Sequence, residues 1–139
     1  MPATHTSVTI FAKEPARLAS FYAAVLGLTP PDGDATFLQV EAGGRVLLAI
    51  HALPAAIADE ISIDDPPRVR EDVALKPCFW VEALEVARAN VLAQGAQAQE
   101  PWIWQDRCWC DCVDPEGNVF QLVSPSSEAA RNAETSHGA

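Results

Sequence analysis

A strand-like segment, an amphipathic helix and further strand-like segments follow one another twice along this chain. In the first half, a strand at residues 7–12 precedes a helix at 15–26. In the second half, a strand at 75–81 precedes a helix at 83–94. Both helices are predicted from apolar residues that recur at helical spacing, and both stop at a glycine. A duplicated order of this kind indicates a fold built from two similar halves.

The strand candidates that follow the helices complete each half. They are separated by turn residues and cover 35–40 and 45–51 in the first half, and 96–103, 107–113 and 119–123 in the second. Laying Gly44 on Gly117 superposes the last hairpins of the two halves. The sequence therefore predicts an α+β fold in which two βαβββ repeats form a curved mixed-sheet cleft, with the helices on the convex side.

The expected boundaries follow from these segments. We predict an N-terminal tail at 1–6, a first half at 7–51, a linker at 52–72, a second half at 73–124 and a disordered tail at 125–139. The linker is acidic and contains several prolines, and the tail is small and polar. Such compositions are typical of connections and chain ends rather than of packed elements.

Composition excludes several classes of function. The chain has 139 residues, a hydrophobic fraction of 49% and a formal net charge of −10. Nucleic acids and anionic membranes attract basic surfaces, so we expect neither as a partner. The first residues show no secretion signal, which predicts a cytoplasmic location. The acidity is compatible with a cationic ligand, or it serves only to keep the protein in solution.

Three motifs carry a family resemblance. The helix end Phe-Tyr-Ala-Ala-Val-Leu-Gly-Leu lies at 21–28, Phe-Trp-Val lies at 79–81, and the turn Asp-Pro-Glu-Gly-Asn lies at 114–118. In this order and spacing they resemble the vicinal oxygen chelate superfamily of glyoxalases, bleomycin-resistance proteins and extradiol dioxygenases. The resemblance covers residues 7–125 and implies the paired βαβββ fold.

Metal-using members of that superfamily take His, Glu or Gln ligands from the first and last strands of each half. By resemblance, the four ligand positions here are Ser7, Leu48, Lys76 and Gln121. A leucine offers no donor atom and a lysine would set a cation beside a cation. We therefore expect no metal and no other cofactor. His5 is interpreted as a tail residue and His51 as a strand-end residue. A slip of three residues in the strand would be needed to bring His51 to the ligand position, and it would put the side chain on the opposite face.

Strand alternation identifies the other side chains of the cleft. Thr9 and Phe11 follow Ser7 on its face, and Cys78 and Trp80 follow Lys76 on its face. Phe11 and Trp80 are predicted either to form the aromatic walls of a ligand pocket or simply to fill the space between the halves.

A tryptophan-rich segment precedes the next predicted strand. By resemblance to related proteins, Trp104 is expected near the pocket mouth, where an exposed indole could stack on a flat or cationic ligand or contact a second subunit. Arg107 follows, and it either holds a carboxylate or phosphate or pairs with Asp106 or Asp111. Cys108, Cys110 and Cys112 alternate along this strand and are interpreted as cysteines buried on one face rather than as zinc ligands.

The best-supported function is a metal-free binding protein of the bleomycin-resistance type, with a small aromatic or cationic molecule in its cleft and a homodimer as its expected assembly. The alternative is an enzyme of the superfamily, a lyase or dioxygenase, with an atypical or metal-independent site. An interaction module with no ligand is a third hypothesis. The sequence shows no arrangement of nucleophile, base and orienting group that would favour catalysis.

Overall fold

The computed structural model describes residues 1–126 of the chain. Its helices are α1 (Pro15–Leu26), a single turn α2 (Ala55–Ala58) and α3 (Leu84–Ala93). Its strands are β1 (Val8–Ala12), β2 (Asp32–Gly33), β3 (Phe37–Ala42), β4 (Arg45–Ala52), β5 (Cys78–Trp80), β6 (Gln97–Ala98), β7 (Trp102–Trp104), β8 (Arg107–Val113) and β9 (Val119–Pro125). Residues 127–139, most of the tail predicted as disordered, lie outside the described part.

The strands form two mixed sheets with the same topology. The first sheet has the order β1-β4-β3-β2, and the second has the order β5-β9-β8-β6 with β7 also paired to β8. In each sheet the strand before the helix pairs in parallel with the last strand, and the other pairs are antiparallel. The predicted α+β class and the two βαβββ repeats are therefore confirmed.

Some element bounds differ from the expectation. The predicted strand at 96–103 is two strands, β6 and β7, with Pro101 between them, because a proline has no N–H for a continuous ladder. β5 begins only at Cys78, and α2 lies within the predicted linker. Within residues 1–126, no helix is long and apolar enough to span a bilayer.

One hydrophobic core joins the two halves. α1 packs on β3 and β4 of its own half and also against α3. The Tyr22 ring meets Phe79 and Phe120 of the second sheet at centroid distances of 5.7 and 5.2 Å, and Phe21 meets Phe120 at 5.9 Å. These aromatic pairs are fully buried or nearly so, and they hold the halves together through their helix-facing sides.

The last hairpin is tied to the start of α1. Glu116 accepts hydrogen bonds from the backbone N–H groups of Lys13 and Glu14, both at 2.8 Å. Asp114 is buried and accepts hydrogen bonds from the hydroxyl of Tyr22 and from the backbone N–H groups of Glu116 and Asn118. The turn recognised from its proline and glycine is thus also an interface between the halves. That role could not be predicted from the sequence, because its partners lie about a hundred residues away.

Candidate functional site

Each sheet has one face packed on the helices and one face turned away from them, which we call the outer face. In the first sheet, Val8 and Ile10 pack against the core, whereas Ser7, Thr9 and Phe11 are exposed. In the second sheet, Phe79 is buried, whereas its neighbours Cys78 and Trp80 are exposed. The alternation predicted for these two strands is therefore present.

The placement of Leu48 was wrong. Leu48 is fully buried and pairs with Val8 on the helix-facing side. The cause is an irregularity between β3 and β4: Val40 pairs with Leu48 but the next residue, Glu41, pairs with Val46, so Leu47 is an extra residue in β4. A bulge reverses the alternation beyond it. The hairpin of the second half has no such shift, and superposing the two turn glycines therefore misplaced Leu48 by one position.

The outer-face partner in β4 is Ala49. In the first sheet Thr9 pairs with Ala49, and in the second sheet Cys78 pairs with Gln121. Because Thr9 and Cys78 are equivalent positions of the repeat, Ala49 is the structural counterpart of Gln121. An alanine is no better a metal ligand than a leucine.

His51 also lies on the outer face, contrary to the prediction that it faces away. Its ring is 5.6 Å from the ring of Phe11 and 4.5 Å from that of Phe37. The same bulge is the reason, because it turns the rest of β4 over. The three rings form a row across the first sheet, in register with one another.

A second aromatic row lies at the equivalent place on the second sheet. Trp80, Val123, Trp109 and Trp102 follow one another in register across β5, β9, β8 and β7. The indoles of Trp80 and Trp109 are 6.4 Å apart, and the valine between them is fully buried. Neither Trp109 nor Trp102 was assigned to the site from the sequence, although the alternation that placed Trp80 applies to them as well.

Trp104 and Arg107 join this surface at its edge. They pair with each other at the β7–β8 turn, and Trp104 lies 5.9 Å from Trp109. The indole N–H of Trp109 donates to the backbone carbonyl of Trp104 at 3.0 Å. The guanidinium carbon of Arg107 is 5.0 Å from the centroid of the Trp80 ring. We call these residues, Trp80, Trp102, Trp104, Trp109 and Arg107, the tryptophan platform.

Beside the platform is a polar cluster centred on Asp111. One carboxylate oxygen of Asp111, Oδ1, accepts a hydrogen bond from the ammonium of Lys76 at 3.0 Å and from the amide of Gln121 at 3.2 Å. Lys76 lies before β5 rather than in it, and its long side chain reaches the outer face. Two of the predicted site residues, Lys76 and Gln121, are thus brought together by the carboxylate of Asp111.

The cluster does not suit a divalent metal. The ammonium of Lys76 already supplies the positive charge beside Asp111, and a second cation there would meet it directly. Ser7, Ala49 and Gln121 are neutral. Within residues 1–126, no group of three His, Cys, Asp or Glu side chains is placed to hold a metal ion.

The cysteines divide between the two faces. Cys78 lies on the outer face, and its partial burial raises the pKa of the thiol, although the ammonium of Lys76 acts in the opposite direction. Less of the thiol is therefore in the reactive thiolate form than in a free cysteine. Cys110 and Cys112 are buried on the helix-facing side with sulfur atoms 3.8 Å apart, as expected for strand cysteines. The hydrogen bond with Cys110 and, to a smaller extent, burial raise the pKa of Cys112.

A cavity of about 630 Å³ lies on the other side of β5, between that strand and the two longer helices. Its walls are mainly apolar and include Leu26, Leu28, Leu47 and Val86, and it reaches the outer face at Cys78 and Trp80. Among residues 1–126, Glu82 is the only one in its lining with a carboxylate. Few polar groups are therefore available there to orient a ligand.

The paired βαβββ sheets and their outer-face sites define a protein of the glyoxalase and bleomycin-resistance class. The glyoxalase-like domain family matches residues 7–123, and the chain belongs to that family. No curated protein is similar enough in sequence to match.

Solved structures share the fold over nearly the whole chain. Fosfomycin resistance protein FosX from Mesorhizobium loti is 11% identical, with a TM-score of 0.66 over 94% of this chain and 99% of that one. A glyoxalase/bleomycin resistance protein/dioxygenase family enzyme from Burkholderia phytofirmans PsJN is 19% identical, with a TM-score of 0.64 over 86% and 98%. The bleomycin resistance determinant of transposon Tn5 is 17% identical, with a TM-score of 0.58 over 88% and 99%. At these identities the likeness shows the fold alone.

Proposed function

We propose that this protein binds a small aromatic molecule without a metal ion, on the outer face of its second sheet. The observation that carries the proposal is the tryptophan platform, in which Trp80 and Trp104 are 61% and 57% exposed although each is in contact with another ring. Large exposed indoles that are held in place by neighbours are suited to stacking on a flat ligand. Two relatives in fold are resistance proteins by name, one for bleomycin and one for fosfomycin.

The polar cluster supports binding without a metal. Lys76 and Gln121, which correspond by resemblance to two of the metal-ligand positions, both donate to the carboxylate of Asp111 instead. Because the charges of Lys76 and Asp111 offset each other, the three side chains form a nearly neutral group of hydrogen-bond donors and acceptors at the end of the platform. An enzymatic role is supported less well, because the pKa of Cys78 is raised and no base is hydrogen-bonded to it among the described residues.

We further propose that two copies of the chain complete the pocket. Phe11 on the first sheet is 60% exposed, which is as open as Trp80 on the second. A finished pocket encloses most of its ligand, and exposed large aromatic side chains such as Phe11 and Trp80 are typical of surfaces that become covered. A homodimer that sets the first sheet of one copy against the second sheet of the other would cover both rows.

Binding is tested by titrating the purified protein with bicyclic aromatic compounds that carry a neutral, a cationic or an anionic group. Binding should quench the tryptophan fluorescence and raise the melting temperature, because a ligand that binds only the folded state stabilises it. If no compound of any charge produces either effect, the proposed function is wrong.

The assembly is tested by sedimentation velocity on the wild type and on Phe11→Ser and Trp80→Ser. Both substitutions should weaken the dimer. Leu75→Ser is the matched control, since Leu75 is also highly exposed but lies in the segment before β5. A wild type that stays monomeric at high concentration would contradict the dimer and leave the binding test unaffected.

A further inference from the structure

The turn that presents Arg107 has an unusual backbone for its sequence. Gln105 and Asp106, the two residues between β7 and β8, both have positive φ angles, 51° and 58°. This is the geometry of a two-residue type I′ hairpin, which normally uses Asn and Gly. A Cβ atom makes this conformation unfavourable, more so for a glutamine than for an aspartate. The hairpin nevertheless brings Arg107 directly opposite Trp104, and strain of this kind is concentrated at functional sites.

Arg107 has a charge that the described part of the chain does not neutralise. Among residues 1–126 it forms no ion pair, whereas Lys76 is paired with Asp111 and Arg88 with Glu100. Its neighbour Asp106 does not bind it. The guanidinium instead lies over the Trp80 ring. A guanidinium that is stacked on an indole keeps its N–H donors at its edge, where they can bind an oxyanion in a bidentate manner.

The same contact disfavours a cationic ligand. One face of Trp80 is already occupied by a positive group, so a second cation at this place would be repelled by Arg107. The net charge of −10 acts in the other direction, but at physiological salt charges are screened beyond about 8 Å. The carboxylate of Asp111 on the same face is paired with Lys76. Arg107 is the charged group that contacts a ring of the platform.

We infer that the ligand of the tryptophan platform is a planar aromatic anion, whose ring stacks on the indoles and whose carboxylate or similar oxyanion is bound by Arg107. This rests on the proposed function and adds the chemical class of the ligand. Trp104 and Trp80 provide the ring contacts on either side of Trp109, and Arg107 lies close enough to Trp80 to reach a substituent on a ring bound there.

The experiment compares three probes of the same shape: 2-naphthoate, 2-naphthamide and 2-naphthylmethylammonium. Isothermal titration calorimetry on the full chain should show the naphthoate binding about tenfold more tightly than the amide, since a hydrogen bond to a charged group is stronger than one between neutral groups. The ammonium probe should bind most weakly. High salt should reduce the difference between the three probes.

Variants of single residues test which side chain causes the preference for naphthoate. Arg107→Gln should reduce the affinity for naphthoate to about that for naphthamide. Arg45→Gln, an exposed arginine on the other sheet, should retain the full preference. Trp80→Leu should weaken all three probes. Urea unfolding of each variant checks that the fold is intact.

The outcomes separate the two proposals. Tighter binding of the amide or ammonium probe would show that the platform binds aromatic compounds but that the assigned charge is wrong. A preference for naphthoate that survives in Arg107→Gln, or that is lost in Lys76→Gln instead, would overturn the role of Arg107. Absence of binding by all three probes would overturn the proposed function together with this inference.

Discussion

The phenol of Tyr22 donates a hydrogen bond of 2.7 Å to Oδ2 of Asp114, and both groups are buried. Tyr22 lies on the helix of the first half and Asp114 at the last turn of the second half. Burial and, to a smaller extent, the charge of Asp114 raise the pKa of Tyr22. The phenol therefore keeps the proton that it donates in this hydrogen bond. This bond is a direct polar link between the two repeats.

Replacing Tyr22 by Phe should lower the free energy of unfolding by about 1–3 kcal/mol, because the buried Asp114 loses a partner while the aromatic packing remains. The measurement is urea denaturation at neutral pH. Ser20→Ala, an exposed change on the same helix, serves as the control. A loss as small as that of the control would show that the hydrogen bond does not contribute to stability.

Asp114 should make stability depend on pH. Burial raises its pKa, although the hydrogen bonds from Tyr22 and Asn118 act in the opposite direction. The folded state therefore binds the proton more tightly than the unfolded state, whose pKa is about 3.9. The contribution of Asp114 to the free energy of unfolding is fully present below the unfolded-state pKa. It is lost as the pH rises through the folded-state pKa.

The measurement is the difference in unfolding free energy between the wild type and Asp114→Asn at several pH values from acid to neutral. The wild type should lose stability relative to the variant as the pH rises, while other titrating groups cancel in the difference. A difference that changes in the opposite sense would mean that the hydrogen bonds outweigh burial.

The bulge in β4 predicts different effects for neighbouring leucines. Leu48 is fully buried, so Leu48→Ala should cost about 2–5 kcal/mol, the usual range for a core leucine. Leu47→Ala should cost clearly less, since Leu47 is only partly buried. Leu75→Ala, at a highly exposed position, should be nearly neutral. Chemical denaturation of the three variants checks the order, and a larger effect at Leu47 than at Leu48 would contradict the observed pairing.

Gly117 should be less tolerant of substitution than Gly43, although both have positive φ angles, 86° and 59°. A Cβ added at Gly117 would lie 2.2 Å from the backbone oxygen of Arg68, whereas one at Gly43 meets nothing within 4 Å. Each alanine should cost roughly 1–2 kcal/mol for its conformation, and Gly117→Ala should cost more because it displaces the connecting segment.

Limited proteolysis would show whether that segment moves. Gly117→Ala should expose the region around Arg68 and Arg70 to trypsin, because the backbone N–H of Arg70 bonds to the carbonyl of Gly117. Gly43→Ala should leave the digestion pattern of the wild type unchanged. Equal stability and equal digestion of the two variants would contradict the close approach.

Much of the fold could be predicted from local patterns. The helix at Pro15–Leu26 has the predicted bounds, because its apolar stripe and its final glycine are signals within one segment. The faces of Phe11 and Trp80 also followed from strict alternation in short strands. The αL glycine of the last turn was likewise recognisable from its neighbours.

The site depended on pairing between distant segments. One extra residue in β4 turned Leu48 into the core and placed His51 beside Phe11, and nothing in the local composition marks that bulge. The partners of Lys76 and Arg107 were equally undetermined, since several acidic and aromatic side chains were available to each.

The sequence by itself determined that the chain forms two βαβββ halves, because helix and strand periodicities are properties of single segments. Only the tertiary structure decided which side chains meet on the outer faces. It paired Asp111 with Lys76 and left Arg107 stacked on Trp80. Those contacts join residues about 27 to 35 positions apart, and their geometry follows from strand register, which a single inserted residue can reverse.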